Sequence, residues 1–262
     1  MKVSHGIKIS GVFLCFGEKF QSQTQTVAIM YDDGQVKPHP PITRGLKLAV
    51  KLLKEAGVNV VEFDPIDIKQ VFEVLGKMFT CDNNVSQKKL LKPSGEPLLP
   101  LIKIALSFAK EELTIDDNRE LNYQRDVIRQ KYLDYFLDNK VDFIISPPGV
   151  GVAAVGIEDG KAGQYYWGYT GLFNLLDLPS LETPTGLYQD PKLDIKEKDY
   201  MPRSNMDKVE QDRYIPELFE GAPIGLQISG RRYFDEEVVA FGKIVDEIFK
   251  SQFKTHLNIK FV

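Results

Sequence analysis

The apolar positions of this chain alternate between short continuous runs and runs with helical spacing. Val27–Tyr31 is an apolar, β-rich run closed by Asp32-Asp33-Gly34, which predicts a strand followed by a turn. The Pro40-Pro41 pair fits the first turn of a helix. Gly57 stands where a helix cap belongs, and Val58–Phe63 is a second strand-like run. Because the links are short, the segment predicts a βαβ unit with two parallel strands. The apolar face of its helix is predicted to comprise Leu46, Ala49, Val50 and Leu53.

The same alternation continues to the end of the chain. Two polar stretches, 81–97 and Asp190–Pro216, are predicted to be loops because turn-forming or charged residues dominate them. The pattern predicts one α/β domain, with so few strands for its length that the sheet is expected to be part of a larger one. Further strands are predicted at Val141–Ser146 and Ile224–Ser229, and helices at Ile66–Thr80, Leu98–Lys110, Thr114–Asn139, Tyr166–Asp177 and Asp235–Lys250.

Composition narrows the class of protein without identifying a function. The 262 residues carry a net charge of -4, which argues against nucleic acid or an anionic membrane as a partner. Lys88-Lys89 and Arg231-Arg232 form no dense basic cluster and are predicted to be solvated surface. The two cysteines, Cys15 and Cys81, cannot form a disulfide framework. With no predicted signal peptide and no membrane span, a cytoplasmic protein is expected.

Several isolated residues invite a functional interpretation, but ordinary structural roles explain them. Ser94 lacks the context of a nucleophile elbow and is predicted to lie in a turn or helix cap. His39 precedes a helix without a partner motif and is predicted to be a surface or packing residue. Cys81 is predicted to be a small buried hydrophobe, and Asp32-Asp33 to be turn residues. The glycines of 149–156 fit only part of a dinucleotide-binding fingerprint.

The segment from Gln164 to Pro179 is the most informative stretch, because it concentrates aromatic and amide side chains and holds the only tryptophan. It belongs to a series of six stretches that together resemble the C-terminal half of the amidase signature family, in its fungal acetamidase-like branch. The series implies a partial mixed β-sheet flanked by helices, an unmatched segment over 1–25 and an amidase-like half-domain over 26–262. In chain order, the stretches are 27–65, SGEPLLPL, DFIISPPGVGVAA, YWGYTGLFNLLDLPSLETP, KDYMPRSNMD and FEGAPIGLQISGRRYFDEEVV.

The resemblance implies a chemistry whose central residues this sequence does not contain. Members of the family use a serine nucleophile, a second serine on a cis peptide and a lysine base, because a hydroxyl needs a base to become reactive. This chain has no Ser-Ser pair and no glycine-rich loop of the GGSSGG kind. We therefore assign no catalytic residue, no cofactor and no metal ligand.

The resemblance does carry over a substrate-facing wall. Aromatic side chains with polar tips suit an apolar pocket, although such clusters also occur in protein cores. Asn174 is the strongest of these predictions, because a polar group between apolar neighbours must be hydrogen-bonded if it is buried. The turn Pro147–Val150 is expected nearby, and the candidates for substrate binding are Tyr166, Trp167, Tyr169, Thr170 and Asn174.

Two functional hypotheses and one genetic explanation follow. The chain is an amidase fragment, or pseudoenzyme, that is inactive alone and retains a wall for a small amide ligand. Alternatively, it is an assembly module whose exposed sheet edge pairs with a separate N-terminal amidase half or with a second copy. A mispredicted gene start would also explain the unmatched segment 1–25.

Overall fold

The computed structural model describes residues 8–9, 12–13, 25–107, 111–153 and 166–254. Within these ranges, helices and strands alternate as the apolar pattern predicts. The strands are β1 (Lys8–Ile9), β2 (Val12–Phe13), β3 (Thr26–Ile29), β4 (Asn59–Glu62), β5 (Phe143–Ser146), β6 (Ser180–Tyr188) and β7 (Pro223–Gly230). The helices are α1 (Pro40–Glu55), α2 (Ile68–Phe79), α3 (Val85–Leu91), α4 (Pro100–Ser107), α5 (Ile115–Asp138), α6 (Gly168–Leu176), α7 (Asn205–Arg213) and α8 (Asp235–Lys254).

A mixed five-stranded sheet forms the centre of the described structure. Its strand order is β4-β3-β5-β7-β6, while β1 and β2 pair separately with each other. Strand β3 runs parallel to both β4 and β5, and β7 runs antiparallel to both β5 and β6. The structure confirms the predicted α/β class and the mixed sheet flanked by helices.

Helices cover both faces of this sheet and separate two apolar cores. On one face, Val27 and Ile29 of β3 join a cluster that includes buried residues of α1 and α8. On the other face, Ala28 joins a cluster that includes buried residues of α2, α5 and α6. Successive side chains of a strand point to opposite faces, so the continuously apolar β5 is buried on both sides, as a strand sandwiched between helix layers should be.

The local signals at helix ends are confirmed. Helix α1 starts with its two prolines, and Gly57 follows it with a φ of +83°, a conformation that glycine adopts without steric cost. Thr114 caps α5 through a reciprocal capping box with Asp117, whose backbone N–H lies 3.1 Å from the Thr114 Oγ1. The predicted apolar side of α5, which is Leu121, Ile128, Tyr132 and Phe136, is buried.

Two loop predictions were wrong. The segment 81–97 contains α3 and a short 3-10 helix at Lys92–Ser94, which ends at the serine predicted to be a turn or cap residue. The segment 190–216 contains α7 and several buried polar residues, so it is an ordered part of the fold. Helix α7 is strongly polar and lacks an apolar stripe, so the periodicity that identifies a packed helix is missing from its sequence.

Strand β6 went unpredicted, although it is the longest strand of the sheet described here. Pro184 and Gly186 interrupt its sequence, and both residues ordinarily count against a strand. The register between β6 and β7 is irregular between Pro184 and Tyr188. An edge position tolerates this composition, because one side of the strand makes no ladder hydrogen bonds.

Candidate functional site

The five candidate residues lie on α6 or directly before it, and helical geometry divides them into two groups. Tyr169 is buried against the core, and the half-buried Tyr166 contacts the turn after β3. Trp167, Thr170 and Asn174 are spaced three and four residues apart, so they share one face. Thr170 and Asn174 are exposed and Trp167 is half-buried. We refer to these three residues as the open face of α6.

Trp167 is held in place by aromatic and glycine contacts. Its ring lies 5.7 Å from that of Phe79 and 6.4 Å from that of Phe72, both on α2. A Cβ atom on Gly171 would lie 2.6 Å from the Trp167 ring, so only glycine leaves room for the indole at this position. The indole therefore packs against Gly171 and the two phenylalanines while remaining partly exposed, which suits a surface that receives an apolar group.

The two tyrosines of the candidate set are tied to the turn that follows β3. The Tyr166 hydroxyl donates to the Asp33 carboxylate at 2.5 Å, and the Tyr169 hydroxyl donates to the Val36 carbonyl at 2.5 Å. Asp33 also accepts the backbone N–H groups of Gln35 and Val36, at 2.8 and 3.1 Å. Asp33 is thus a turn residue, as predicted, and in addition it positions the start of α6.

Burial changes the acid–base behaviour of this cluster. It raises the pKa of Asp33 above its ordinary value, although three hydrogen bonds to the carboxylate oppose the change. Burial and the nearby Asp33 charge raise the pKa of Tyr166 far above its ordinary range. Tyr166 therefore stays protonated near neutral pH and acts as a hydrogen-bond donor. Burial also tends to raise the pKa of Asp32, but the Arg203 guanidinium and the Gly34 N–H hold that pKa below its ordinary value.

Asn174 is exposed, so the reason for preferring it, which required a buried side chain, does not apply. Its side chain projects from the open face instead of entering the core. The Thr170 hydroxyl donates back to the Trp167 carbonyl at 3.1 Å, within the first turn of α6. The turn Pro147–Val150 is anchored where the His39 N–H donates to the Val150 carbonyl at 2.7 Å.

Two buried acids on α7, Asp207 and Glu210, also hold this region in place. The sequence analysis did not identify either of them. Glu210 accepts the Tyr166 N–H at 2.8 Å. Asp207 accepts the Lys37 N–H, the Arg203 N–H and the Tyr200 hydroxyl at 3.1, 2.8 and 2.6 Å. The sequence gives a weak signal for Asp207, because Ser204 three residues before it is a typical helix N-cap. No local pattern indicates that either acid would be buried.

A row of polar side chains crosses the sheet on the α6 side. Gln227 of β7 donates to the Ser146 hydroxyl at 3.1 Å and to the Tyr169 carbonyl at 3.2 Å, which fastens α6 to the sheet. The hydroxyls of Ser180 and Ser229 lie 2.7 Å apart. The exposed Glu182 pairs with Gln227 in the strand register, so the row reaches solvent at the edge strand β6.

The remaining candidates have structural roles. His39 is a packing residue: its ring stacks on Tyr214 at 4.5 Å, and its Nε2 lies 3.0 Å from the Glu210 carbonyl oxygen. Cys81 is partly exposed, so it is less buried than predicted. Of the glycine-containing segment 149–156, residues 154–156 lie outside the described residues.

The described residues form neither a metal-binding cluster nor a membrane-spanning helix. No group of three or more His, Cys, Asp or Glu side chains in the described ranges could hold a metal ion. Every helix of the described residues is too short or too polar to span a bilayer.

Comparisons with known proteins agree on one family. The family model described as Amidase matches residues 15–239. The Acetamidase of Aspergillus oryzae is 32% identical over 225 residues, which are 83% of this chain and 40% of that protein. Amidase FG08078 of Gibberella zeae is 31% identical over 244 residues, covering 86% of this chain and 43% of that protein. The chain thus spans about 40% of the length of these relatives.

A solved structure supports the same assignment in three dimensions. The structure titled Fatty acid amide hydrolase superposes with a TM-score of 0.81 at 44% identity, covering 86% of this chain and 40% of that one. The matched family region includes the sheet, α6 and the acids of α7. This chain belongs to the amidase family and corresponds to the C-terminal part of its longer members.

Proposed function

We propose that this chain forms the substrate-facing wall of an amide hydrolase and that its own residues do not break the amide bond. The proposal rests on one observation: the chain belongs to the amidase family, yet its 262 residues contain no Ser-Ser pair. In this proposal, a polypeptide segment other than these residues supplies the nucleophile and its base. The chain alone is inactive.

The serine contacts in the sheet support the proposal that the nucleophile and its base come from outside these residues. Ser180 and Ser229 come within 2.7 Å of each other, and the Ser146 hydroxyl accepts from Gln227. A serine needs a base to take its proton before it can attack a carbonyl carbon. Within the described ranges, neither Ser180 nor Ser229 hydrogen-bonds a lysine or a histidine. These hydroxyls therefore serve the packing of the sheet.

The open face of α6 supports an amide with an apolar acyl group as the substrate class. Trp167 offers a flat apolar surface, while Thr170 and Asn174 add polar atoms along the same face. The relatives are named for an acetamide and a fatty acid amide, which differ mainly in acyl length. We propose that the acyl group lies along Trp167 and that the Tyr166–Asp33 hydrogen bond keeps this surface fixed.

An alternative proposal describes the chain first as an assembly module. The observation that favours it is the edge strand β6, which spans nine residues and, among the described strands, pairs only with β7. Unpaired N–H and C=O groups on such an edge can pair with another strand. The partner would be an N-terminal amidase half or a second copy of the chain.

We expect the purified chain to show no hydrolysis of acetamide or a fatty acid amide above background. Co-expression with the N-terminal portion of the Aspergillus oryzae relative, the portion that this chain does not match, is expected to give a complex and to restore hydrolysis. Turnover assays and size exclusion measure the two outcomes. Hydrolysis by the purified chain alone would refute the first proposal. A stable monomer that binds neither the N-terminal portion nor itself would refute the second.

In the reconstituted complex, Trp167→Ala is expected to lower kcat/KM by roughly 10- to 100-fold, because a large buried apolar contact with the acyl group is lost. Tyr123→Ala serves as the matched control, since Tyr123 is an exposed aromatic residue on α5. The loss should be larger for a long-chain amide than for acetamide. Equal effects of the two substitutions on kcat/KM would contradict the role of the open face.

A further inference from the structure

A cavity lies at the opposite end of α6 from Trp167. Its volume is about 270 Å³, and residues of α5, the end of α6 and the turn after β7 line it. Trp167 and Leu176 bound the two ends of α6, which places about 13 Å of helix between the open face's tryptophan and this cavity. The lining residues Arg231 and Arg232 directly follow Gly230, which pairs with Phe143, the first residue of β5. The Pro147–Val150 turn instead follows the last residue of β5. The cavity therefore lies at the other end of the sheet from this turn.

The floor of this cavity is apolar. Phe136 and Leu176 are buried and form its base. Leu133 on α5 is 42% exposed, and Leu178 is half-buried beside it. An apolar surface that is concave and reachable from solvent gains free energy when an aliphatic chain covers it.

The rim of the cavity carries more positive than negative charge. Three arginines, Arg129, Arg231 and Arg232, share the lining with one carboxylate, Asp126. Asp126 is already paired with Arg125 at 2.8 Å, and Arg232 is paired with Asp177 at 2.6 Å. The close ion pairs therefore leave Arg129 and Arg231 as the excess cations.

The contacts of these two arginines leave hydrogen-bond donors to spare. Arg129 donates its Nε to the Leu175 carbonyl at 2.8 Å, which fixes the guanidinium, but its Nη atoms stand 3.7 and 4.0 Å from the nearest carboxylates. Arg231 lies over the Phe234 ring at 4.2 Å, and its charge acts on the Glu237 carboxylate, but no described carboxylate lies within ion-pair distance of it. Burial and the charges of Arg125 and Arg232 lower the pKa of Arg129, while the carboxylates of Asp177 and Asp126 oppose the change without cancelling it.

We propose that this cavity binds an aliphatic carboxylate. Arg129 and Arg231 hold the carboxylate, and the hydrocarbon chain covers Leu133 and Leu178. Guanidinium groups suit this partner because their planar donors match the two oxygens of a carboxylate. Nothing in the argument depends on hydrolysis, since the lining residues lie away from the open face of α6.

Calorimetric titration of the full chain with octanoate tests the inference. One saturable site is expected, with affinity increasing from acetate through hexanoate to octanoate by roughly fourfold for each methylene that becomes buried. Octanol and octylamine have the same chain without the anion and are expected to bind far more weakly. Octanol binding as tightly as octanoate, or the absence of saturable octanoate binding, would overturn the proposal.

Two substitutions locate the bound molecule. Arg231→Gln is expected to weaken octanoate binding roughly tenfold or more, because a charge-assisted hydrogen bond is lost. Arg119→Gln, an exposed arginine on α5 paired with Asp116, is the matched control and should leave the affinity unchanged. Both variants should unfold at the same temperature as the parent. If Trp167→Ala weakens binding and Arg231→Gln does not, octanoate occupies the open face and the proposed cavity is wrong.

Discussion

Replacing Asp207 with alanine is expected to lower the free energy of unfolding by about 3 kcal/mol, because it removes the acceptor for three donors inside the fold. Asp207 is 0% exposed and receives two backbone N–H groups and one hydroxyl, from Lys37, Arg203 and Tyr200. In the variant, these donors lose their partner without regaining full contact with water. Urea unfolding at neutral pH measures the change.

Asp212 on the same helix provides the control. It is exposed and forms an ion pair with Lys208 one turn away, and pairs of this kind add little to stability. Asp212→Ala is therefore expected to unfold at nearly the parent urea concentration. Asp207→Asn, which keeps the size and one acceptor oxygen, should fall between the two. If Asp207→Ala and Asp212→Ala unfold alike, α7 does not contribute to the fold through this carboxylate.

The elements that sequence reasoning identified correctly are those whose signal is local. The βαβ unit from β3 to β4 follows from apolar spacing over consecutive residues, and the prolines and Gly57 mark the ends of its helix. The capping box of Thr114 is likewise contained within four residues. Local patterns of this kind constrain the backbone directly, and tertiary packing then supports the same choice.

Local sequence patterns do not reveal the contacts that shape the candidate site. The Tyr166 hydroxyl meets the Asp33 carboxylate across 133 residues of sequence, and Lys37 meets Asp207 across 170. Nothing near Asp33 distinguishes it from a surface turn residue, and nothing near Asp207 distinguishes α7 from a solvated segment. Because burial of both acids depends on pairing between distant parts of the chain, the family resemblance located α6, and only the structure revealed what supports it.

Helical geometry places the five candidate residues on two different sides of α6 and of the residues directly before it. A nine-residue helix that packs on α2 and α5 must bury one side, and Tyr169 belongs to that side. Its hydroxyl and carbonyl bond to Val36 and Gln227, so it connects the turn after β3 with the sheet. The two tyrosines thus hold α6 against the turn after β3 and the sheet, while Thr170 and Asn174 of the open face stay exposed.

Acidification is expected to destabilise the protein through His39. Burial lowers the pKa of this side chain from 6.5 to about 4, against a smaller upward effect of the Glu210 carbonyl. Between those two values the unfolded chain binds a proton that the folded chain excludes. The free energy of unfolding therefore falls as the pH drops below 6.5, and the loss levels off below about 4. Between about pH 7 and pH 5, the expected loss is about 2 kcal/mol.

His39→Gln isolates this contribution, because glutamine can still donate to the Glu210 carbonyl but does not titrate. The variant is expected to be less stable at neutral pH, since the ring's stacking on Tyr214 is lost, and to lose less stability on acidification than the parent. Asp33 acts in the opposite direction, because a raised carboxyl pKa makes the fold take up a proton more readily as the pH falls. That effect is present in both proteins and cancels in the difference between their urea-unfolding curves. Identical pH dependence of the two proteins would mean that the folded chain admits a proton at His39, and the contacts of His39 with Glu210 and Tyr214 would have to open to allow it.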